Sequence, residues 1–172
     1  DKIAQRPKTG DIYKEYVKRC FKSNSMDFDD LLLKTNELLN KFPDILSKYQ
    51  NQFRYILVDE YQDTNHSQYK IVKLLSDKFQ NISVVGDDSQ SIYAFRGANI
   101  NNILNFQQDY ESVKVYKLEQ NYRSTKNIVN AANSLIEHNK NKLNKEIWTN
   151  NSEGEKIFLK KLPTDSDEGR FV

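Results

Sequence analysis

The stretch Tyr55-Ile56-Leu57-Val58-Asp59-Glu60-Tyr61-Gln62-Asp63-Thr64 decides how the chain folds. Its first half continues an apolar run that is rich in β-branched and aromatic residues and reads as a buried strand over 53–58. Its second half packs three carboxylates and an amide into the five residues 59–63. In an open α/β sheet, ligands bind just beyond the carboxyl ends of the strands. A carboxylate at that point can hold Mg²⁺, a hard cation that prefers oxygen ligands, and a second can act as a base toward water. The alternative is a strand running into a solvated acidic turn, and residues further along the chain decide between the two.

Just downstream, Asn65 is a candidate N-cap for a helix over 66–78 that turns Tyr69, Val72 and Leu75 or Phe79 inward. Ile82-Ser83-Val84-Val85 reads as a second short strand and again ends in acid, at Gly86-Asp87-Asp88. Strand, helix and strand at this spacing predict a βαβ unit with parallel strands, so both polar tips share one sheet edge. A helix over 99–109 is expected from Ile100, Ile103, Leu104 and Phe106. A third strand over 113–118 should lead into Glu119-Gln120-Asn121-Tyr122-Arg123-Ser124. Thr125 is placed to cap a helix bearing Ile128, Val129, Ala132, Leu135 and Ile136, and 157–162 reads as one more strand. Upstream, Ile12, Tyr13, Tyr16, Val17, Cys20 and Phe21 form a helical stripe over 11–22, which packing on a neighbour explains. Asp27 is placed to cap a second helix carrying Leu31, Leu32, Leu33, Leu38 and Leu39. Pro43 ends that helix or opens a third that reaches Tyr49.

Composition limits the partners. At 172 residues the chain suits one domain, or one with part of another. Charged residues make up 29% but the net charge is only +2, so nucleic-acid contact must come from a local patch. The single Cys20 excludes an intrachain disulfide and fits a reducing compartment, which makes a cytoplasmic location the expectation. No apolar run approaches the roughly 18–20 residues of a membrane span, and no signal-peptide pattern is present. The chain begins at Asp1 and ends at Val172, and we expect it to be an internal piece of a longer protein.

The predicted strand ends carry three polar clusters: Asp59-Glu60-x-Gln62-Asp63, Gly86-Asp87-x-x-Gln90 and Gln120-Asn121-Tyr122-Arg123-Ser124. Phosphoryl transfer to water needs a metal carboxylate, a base, a γ-phosphate sensor and a cation for the developing charge. Asp, Glu, Gln and Arg are the right types for those roles. Together with Gln90-Ser91-Ile92-Tyr93-Ala94-Phe95-Arg96-Gly97-Ala98, the weaker Met26-Asp27-Phe28-Asp29-Asp30-Leu31 and Ile147-Trp148-Thr149, these motifs make the chain resemble the UvrD/Rep/PcrA family of superfamily 1 DNA helicases, PcrA-type members above all. The resemblance runs along essentially the whole chain.

That resemblance implies an α/β fold of RecA-like, P-loop NTPase type: a parallel sheet flanked by helices. Residues 1–25 would return from an inserted helical subdomain, 26–111 complete a first motor domain, and 112–172 begin a second. It implies Mg²⁺ as cofactor and ATP as substrate. Asp59 would hold Mg²⁺, Glu60 would activate the attacking water, and Gln90 would sense the γ-phosphate. Arg123 would serve as arginine finger and Tyr122 would stack on adenine. Tyr93, Phe95, Arg96 and Phe28 would lie on the DNA path, where stacking on aromatic rings tolerates any base sequence. Implied partners are single-stranded and duplex DNA and proteins of repair or replication. The sequence departs from the family at Phe95, where Trp is common, and at Ser89, where an acid is common. None of the five glycines precedes a lysine, so no phosphate-cradling Gly-Lys-Ser/Thr loop is present, and the chain alone is expected not to hydrolyse ATP.

Simpler readings exist for single residues. Tyr93 and Phe95 alternate with Ile92 and Ala94, as a packed strand would, and Phe28 suits a hydrophobic contact at a helix start. Tyr61 and Trp148 read as packing residues, and Asp63 as a local hydrogen-bond partner. His66 and His138 are isolated, without zinc-site spacing, and the Lys/Asn patch at 139–146 reads as a solvated loop. Two other whole-protein readings share the motifs: the helicase part of a recombination helicase–nuclease, and a non-catalytic DNA-binding module. Asp59, Glu60, Gln90 and Arg123 being intact together argues against the last.

Overall fold

The structure is a computed structural model that describes residues 8–94, 97–139 and 142–172. The chain divides into two compact units, Asp1–Ser112 and Val113–Val172.

The first unit opens with three helices, α1 (Thr9–Lys22), α2 (Phe28–Lys41) and α3 (Pro43–Gln52). The sequence explains where each begins. Asp27 caps α2 through a capping box, its Oδ1 accepting from the Asp30 amide at 2.8 Å while Asp30 accepts from the Asp27 amide at 3.4 Å. The Asp30 amide, followed by the Tyr16 hydroxyl at 2.9 Å, holds the Asp27 carboxyl below its ordinary range. Pro43 sits in the first turn of α3, where its missing N–H costs nothing, and the helix runs on past Tyr49 to Gln52.

Strand β1 (Ile56–Val58), helix α4 (His66–Ser76) and strand β2 (Ile82–Val84) follow. The strands pair in parallel, Ile56 opposite Ile82 and Val58 opposite Val84, as the βαβ pattern requires. Asn65 caps α4 with a second capping box, exchanging 2.9 Å hydrogen bonds with Gln68. Helices α2, α3 and α4 pack on one another, and half-buried amides bind them: Asn36 donates to the Ser67 carbonyl and Gln50 to the Leu74 carbonyl. A parallel pair with flanking helices is an α/β arrangement. Strand β1 is shorter than the apolar run and covered on one face only. Successive strand side chains point to opposite faces, and Leu57 stands 80% exposed between half-buried Ile56 and Val58.

Past β2, the single helix expected over 99–109 is two short ones, α5 (Asn101–Leu104) and α6 (Phe106–Asp109), broken at Asn105. The break lets Phe106 meet the fully buried Tyr61 ring edge-on, centroids 5.7 Å apart, and contact Tyr110 at 4.8 Å. Tyr110 in turn pairs its hydroxyl with Ser76 Oγ at 2.8 Å. Burial pushes the phenols of Tyr61 and Tyr110 up from their ordinary values. This aromatic cluster is the centre of the unit, so Tyr61 is a packing residue as expected.

The second unit contains α7 (Lys126–Ile136) and α8 (Asp165–Phe171). The strands expected at 113–118 and 157–162 do not form. A strand exists only as a member of a hydrogen-bonded ladder, and among the described residues neither segment has one. Their large apolar side chains stay in solvent, Leu118 at 84% and Leu159 at 92% exposure. Among the described residues, the β pairing in this unit is one isolated parallel bridge between Gln120 and Trp148. Thr125 stands at the N-cap position of α7 without a side-chain capping bond. Among the described residues, no helix is long and apolar enough to cross a membrane.

Candidate functional site

The parallel pairing of β1 and β2 brings two polar tips to one edge, and hydrogen bonds lock them together. Val85 donates to the Val58 carbonyl at 2.8 Å, and Tyr61 donates back to the Val85 carbonyl at 3.0 Å. Immediately beyond, Glu60 turns into the left-handed region, φ 48° and ψ 43°. Such a conformation costs a residue with a Cβ roughly 1–3 kcal/mol and persists only where the surroundings over-determine it. Here the Glu60 amide donates to Asp59 Oδ1 at 2.9 Å, and its carboxylate accepts from Gln62 Nε2 at 2.8 Å.

Gln62 is the centre of the edge. It lies in a 3₁₀ turn, Tyr61–Asp63, and only 1% of it is exposed. Its Oε1 accepts the Asp87 amide at 3.0 Å and its carbonyl accepts from Ser91 Oγ at 3.4 Å. An N–H partner on one side and a carboxylate on the other fix which end of the amide is oxygen and which is nitrogen. Asp87 caps a second 3₁₀ turn, Asp88–Gln90, by accepting from the Ser89 amide at 3.0 Å, and it also accepts from Gln90 Nε2 at 2.8 Å. Glu60, Gln62, Asp87 and Gln90 therefore form one continuous hydrogen-bonded chain across both strand tips. Gly86 is required between them: a Cβ there would stand 2.6 Å from Gln62 Oε1 and 2.8 Å from Ile103 Cδ1.

Behind this edge, buried Asn102 donates to the Thr64 carbonyl and hydroxyl, both at 3.0 Å, and Asn65 bridges to Ala98. These contacts tie the segment after Gln90 back to the end of the first acidic tip. Asp63 accepts from Gln62 Nε2 at 3.5 Å, the local contact expected of it, while its buried Oδ1 has no hydrogen-bond partner among the described residues. Asp59 and Glu60 are exposed. Hard carboxylate oxygens at an open strand end suit Mg²⁺, which keeps several waters and takes one or two protein carboxylates. Of the expected DNA-path residues, Phe28 opens α2 at 89% exposure and Tyr93 is 38% exposed, while Phe95 and Arg96 lie outside the described residues.

Tyr122 and Arg123 belong to the second unit, on a turn built by asparagines. Asn121 Oδ1 accepts from the Arg123 amide at 2.9 Å and the Ser124 amide at 2.7 Å. The Asn121 amide donates to the Trp148 carbonyl at 2.7 Å, and the Trp148 amide to Glu119 at 2.9 Å. Asn151 Nδ2 donates to the carbonyls of Tyr122 and Ser124. The turn presents both side chains outward, with the Tyr122 ring 79% exposed and its hydroxyl donating to Gln120 Oε1 at 2.9 Å. Gln62, Asn121 and Asn151 received no role from sequence reasoning. A single amide leaves no periodic signal, and most of its partners here are backbone groups, several of them distant along the chain.

Comparisons with known proteins identify the family. The family model of the UvrD/REP helicase N-terminal domain matches residues 2–111, and that of the UvrD-like helicase C-terminal domain matches residues 116–172. The chain belongs to the UvrD/REP helicase family. Among individual relatives it is 52% identical over 161 residues to the ATP-dependent DNA helicase PcrA of Staphylococcus epidermidis. It is 51% identical over 162 residues to PcrA of Bacillus subtilis and 49% identical over 162 residues to PcrA of Leuconostoc citreum. Each alignment covers 94% of this chain but 22% of the relative, so the chain spans about a fifth of the length of these relatives.

The crowding at Gly86 gives a direct test. Gly86→Ala should push Gln62 and Ile103 apart and destabilise the first unit by about 1–3 kcal/mol, read as a lower denaturant midpoint at unchanged slope.

Proposed function

We propose that this chain is a central part of an ATP-driven DNA helicase and translocase that moves 3′ to 5′ on single-stranded DNA. In this reading residues 26–111 belong to a first RecA-like motor domain, 112–172 to a second, and 1–25 to the return from an inserted helical subdomain. The observation that carries it is the shared edge, where two acidic strand tips and a glutamine are joined by one hydrogen-bonded chain in a member of a helicase family. The exposed sheet face at Leu57 fits the same reading, because a motor several times longer has further elements to cover it.

Asp59 would hold Mg²⁺, which would supply charge neutralisation at the phosphates. Glu60 takes the proton from the water that attacks the γ-phosphorus. The bond from that phosphorus to the bridging oxygen of ADP breaks, and inorganic phosphate leaves. Gln90 contacts the γ-phosphate and reports its loss along the segment that carries Tyr93, Phe95 and Arg96. Those residues and Phe28 contact the bases and backbone of the single strand. Arg123 stabilises the charge developing on the transferred phosphoryl group, and Tyr122 stacks on adenine. The outward-facing Tyr122 ring and the Arg123 backbone pinned by Asn121 support the last two roles.

In the full-length protein, Glu60→Gln should lower DNA-stimulated ATP turnover by about 10²-fold or more, the scale of a lost general base, while single-stranded DNA affinity stays unchanged. Turnover that survives the substitution refutes Glu60 as the base. The 172-residue chain alone, lacking a Gly-Lys-Ser/Thr loop, should show no DNA-stimulated ATP hydrolysis, and a Glu60-dependent rate in the purified polypeptide would contradict this.

A further inference from the structure

We propose that Gln62 is a positioning residue for ATP hydrolysis: it aims the Glu60 carboxylate and ties it to the β2 tip that carries Gln90. The inference rests on the assignment of Glu60 as the base.

Gln62 is almost wholly buried, yet neither end of its amide serves packing alone. Nε2 spends a donor on Glu60 Oε2 and Oε1 accepts the Asp87 amide, so one rigid planar group spans the two strand ends. Glu60 needs such a hold. Its backbone sits in a strained left-handed conformation, and its side chain is exposed, with several rotamers open to it in solvent. A general base must stay within hydrogen-bond reach of the water it activates, and a carboxylate free to rotate satisfies that for only part of the time.

The connection extends further. Asp87, whose amide is held by Gln62, accepts from the Gln90 side chain. Movement of Gln90 toward or away from a γ-phosphate would change the pull on Asp87 and, through Gln62, on Glu60. Gly86 leaves the room that Gln62 Oε1 occupies, and Ser91 Oγ holds the Gln62 carbonyl, so the amide is fixed from its backbone as well. Packing alone does not account for this pattern, since an apolar side chain of equal length would fill the same volume without a carboxylate contact.

The test uses the full-length protein with Gln62→Met, which keeps length and volume but removes both amide bonds. Gln62→Glu is the second variant; it keeps an acceptor for the Asp87 amide and removes the donor to Glu60. Turnover is counted per molecule competent to bind single-stranded DNA. Each variant should lose about tenfold or more in kcat, the worth of one charge-assisted hydrogen bond, with the ATP KM and DNA affinity within about twofold of wild type. If Gln62→Met does not fold, Gln62→Glu decides alone. A kcat within about twofold of wild type overturns the proposal, and so does a loss that appears equally in DNA affinity, the mark of general collapse. Glu60→Gln measured alongside separates the two claims. If it is inactive while the Gln62 variants are normal, only positioning fails. If it is active, the assignment of Glu60 itself fails.

Discussion

The double hydrogen bond of Gln62 is the constraint on which the candidate site depends. Parallel pairing brings the tips of β1 and β2 to the same edge, but the ladder ends at Val58 and Val84, and the last backbone contact between the tips is the Tyr61 amide on the Val85 carbonyl. Beyond that contact the two acidic tips are joined through side chains, with Gln62 at the centre. Gln62 does so by bonding Glu60 on its own strand and the Asp87 amide on the neighbouring one. The magnitudes are commensurate. The left-handed backbone at Glu60 costs roughly 1–3 kcal/mol. A hydrogen bond to a charged group contributes about 1.5–3 kcal/mol at most, and less here because Glu60 is exposed to solvent. The bond to Glu60 therefore offsets part of the strain. The Asp87 contact and the burial of Tyr61 beside it complete the balance.

Two further features follow from the same edge. Gly86 is set by the space that Gln62 occupies, not by an unusual backbone angle. The aromatic cluster of Tyr61, Phe106 and Tyr110 anchors the turn from below, which is why a helix broken at Asn105 suits the fold better than a straight one. In the second unit asparagine takes over the part that glutamine plays in the first. Asn121 and Asn151 bond backbone groups of Tyr122, Arg123 and Ser124 and leave the Tyr122 and Arg123 side chains to face outward. Both turns thus use buried or half-buried amides to fix the backbone beneath the candidate side chains.

Much of this was legible in the sequence. Both caps, Asp27 and Asn65, were visible because capping depends on residues within one helical turn. The βαβ order followed from apolar runs and their spacing. The motif residues at the strand tips were visible as residue types, and the family comparisons bear out the family they suggested. What stayed hidden depended on partners far along the chain. The runs at 113–118 and 157–162 have the composition of strands, but a ladder needs a neighbour, and among the described residues neither finds one. The break at Asn105 answers to Tyr61, more than forty residues earlier. Gln62 drew no role because its bond to Asp87 spans 25 residues and repeats nowhere in the chain.

Hydrogen exchange at the Asp87 amide tests the bridge most directly. In the 172-residue chain this N–H donates to a buried side-chain oxygen, so it should be protected, and Gln62→Met should release it while the amides of Tyr61 and Val85, bonded to backbone carbonyls, stay protected. An Asp87 amide that already exchanges at the rate of a free peptide in the unsubstituted chain would contradict the account, because the two strand tips would then not be held by Gln62.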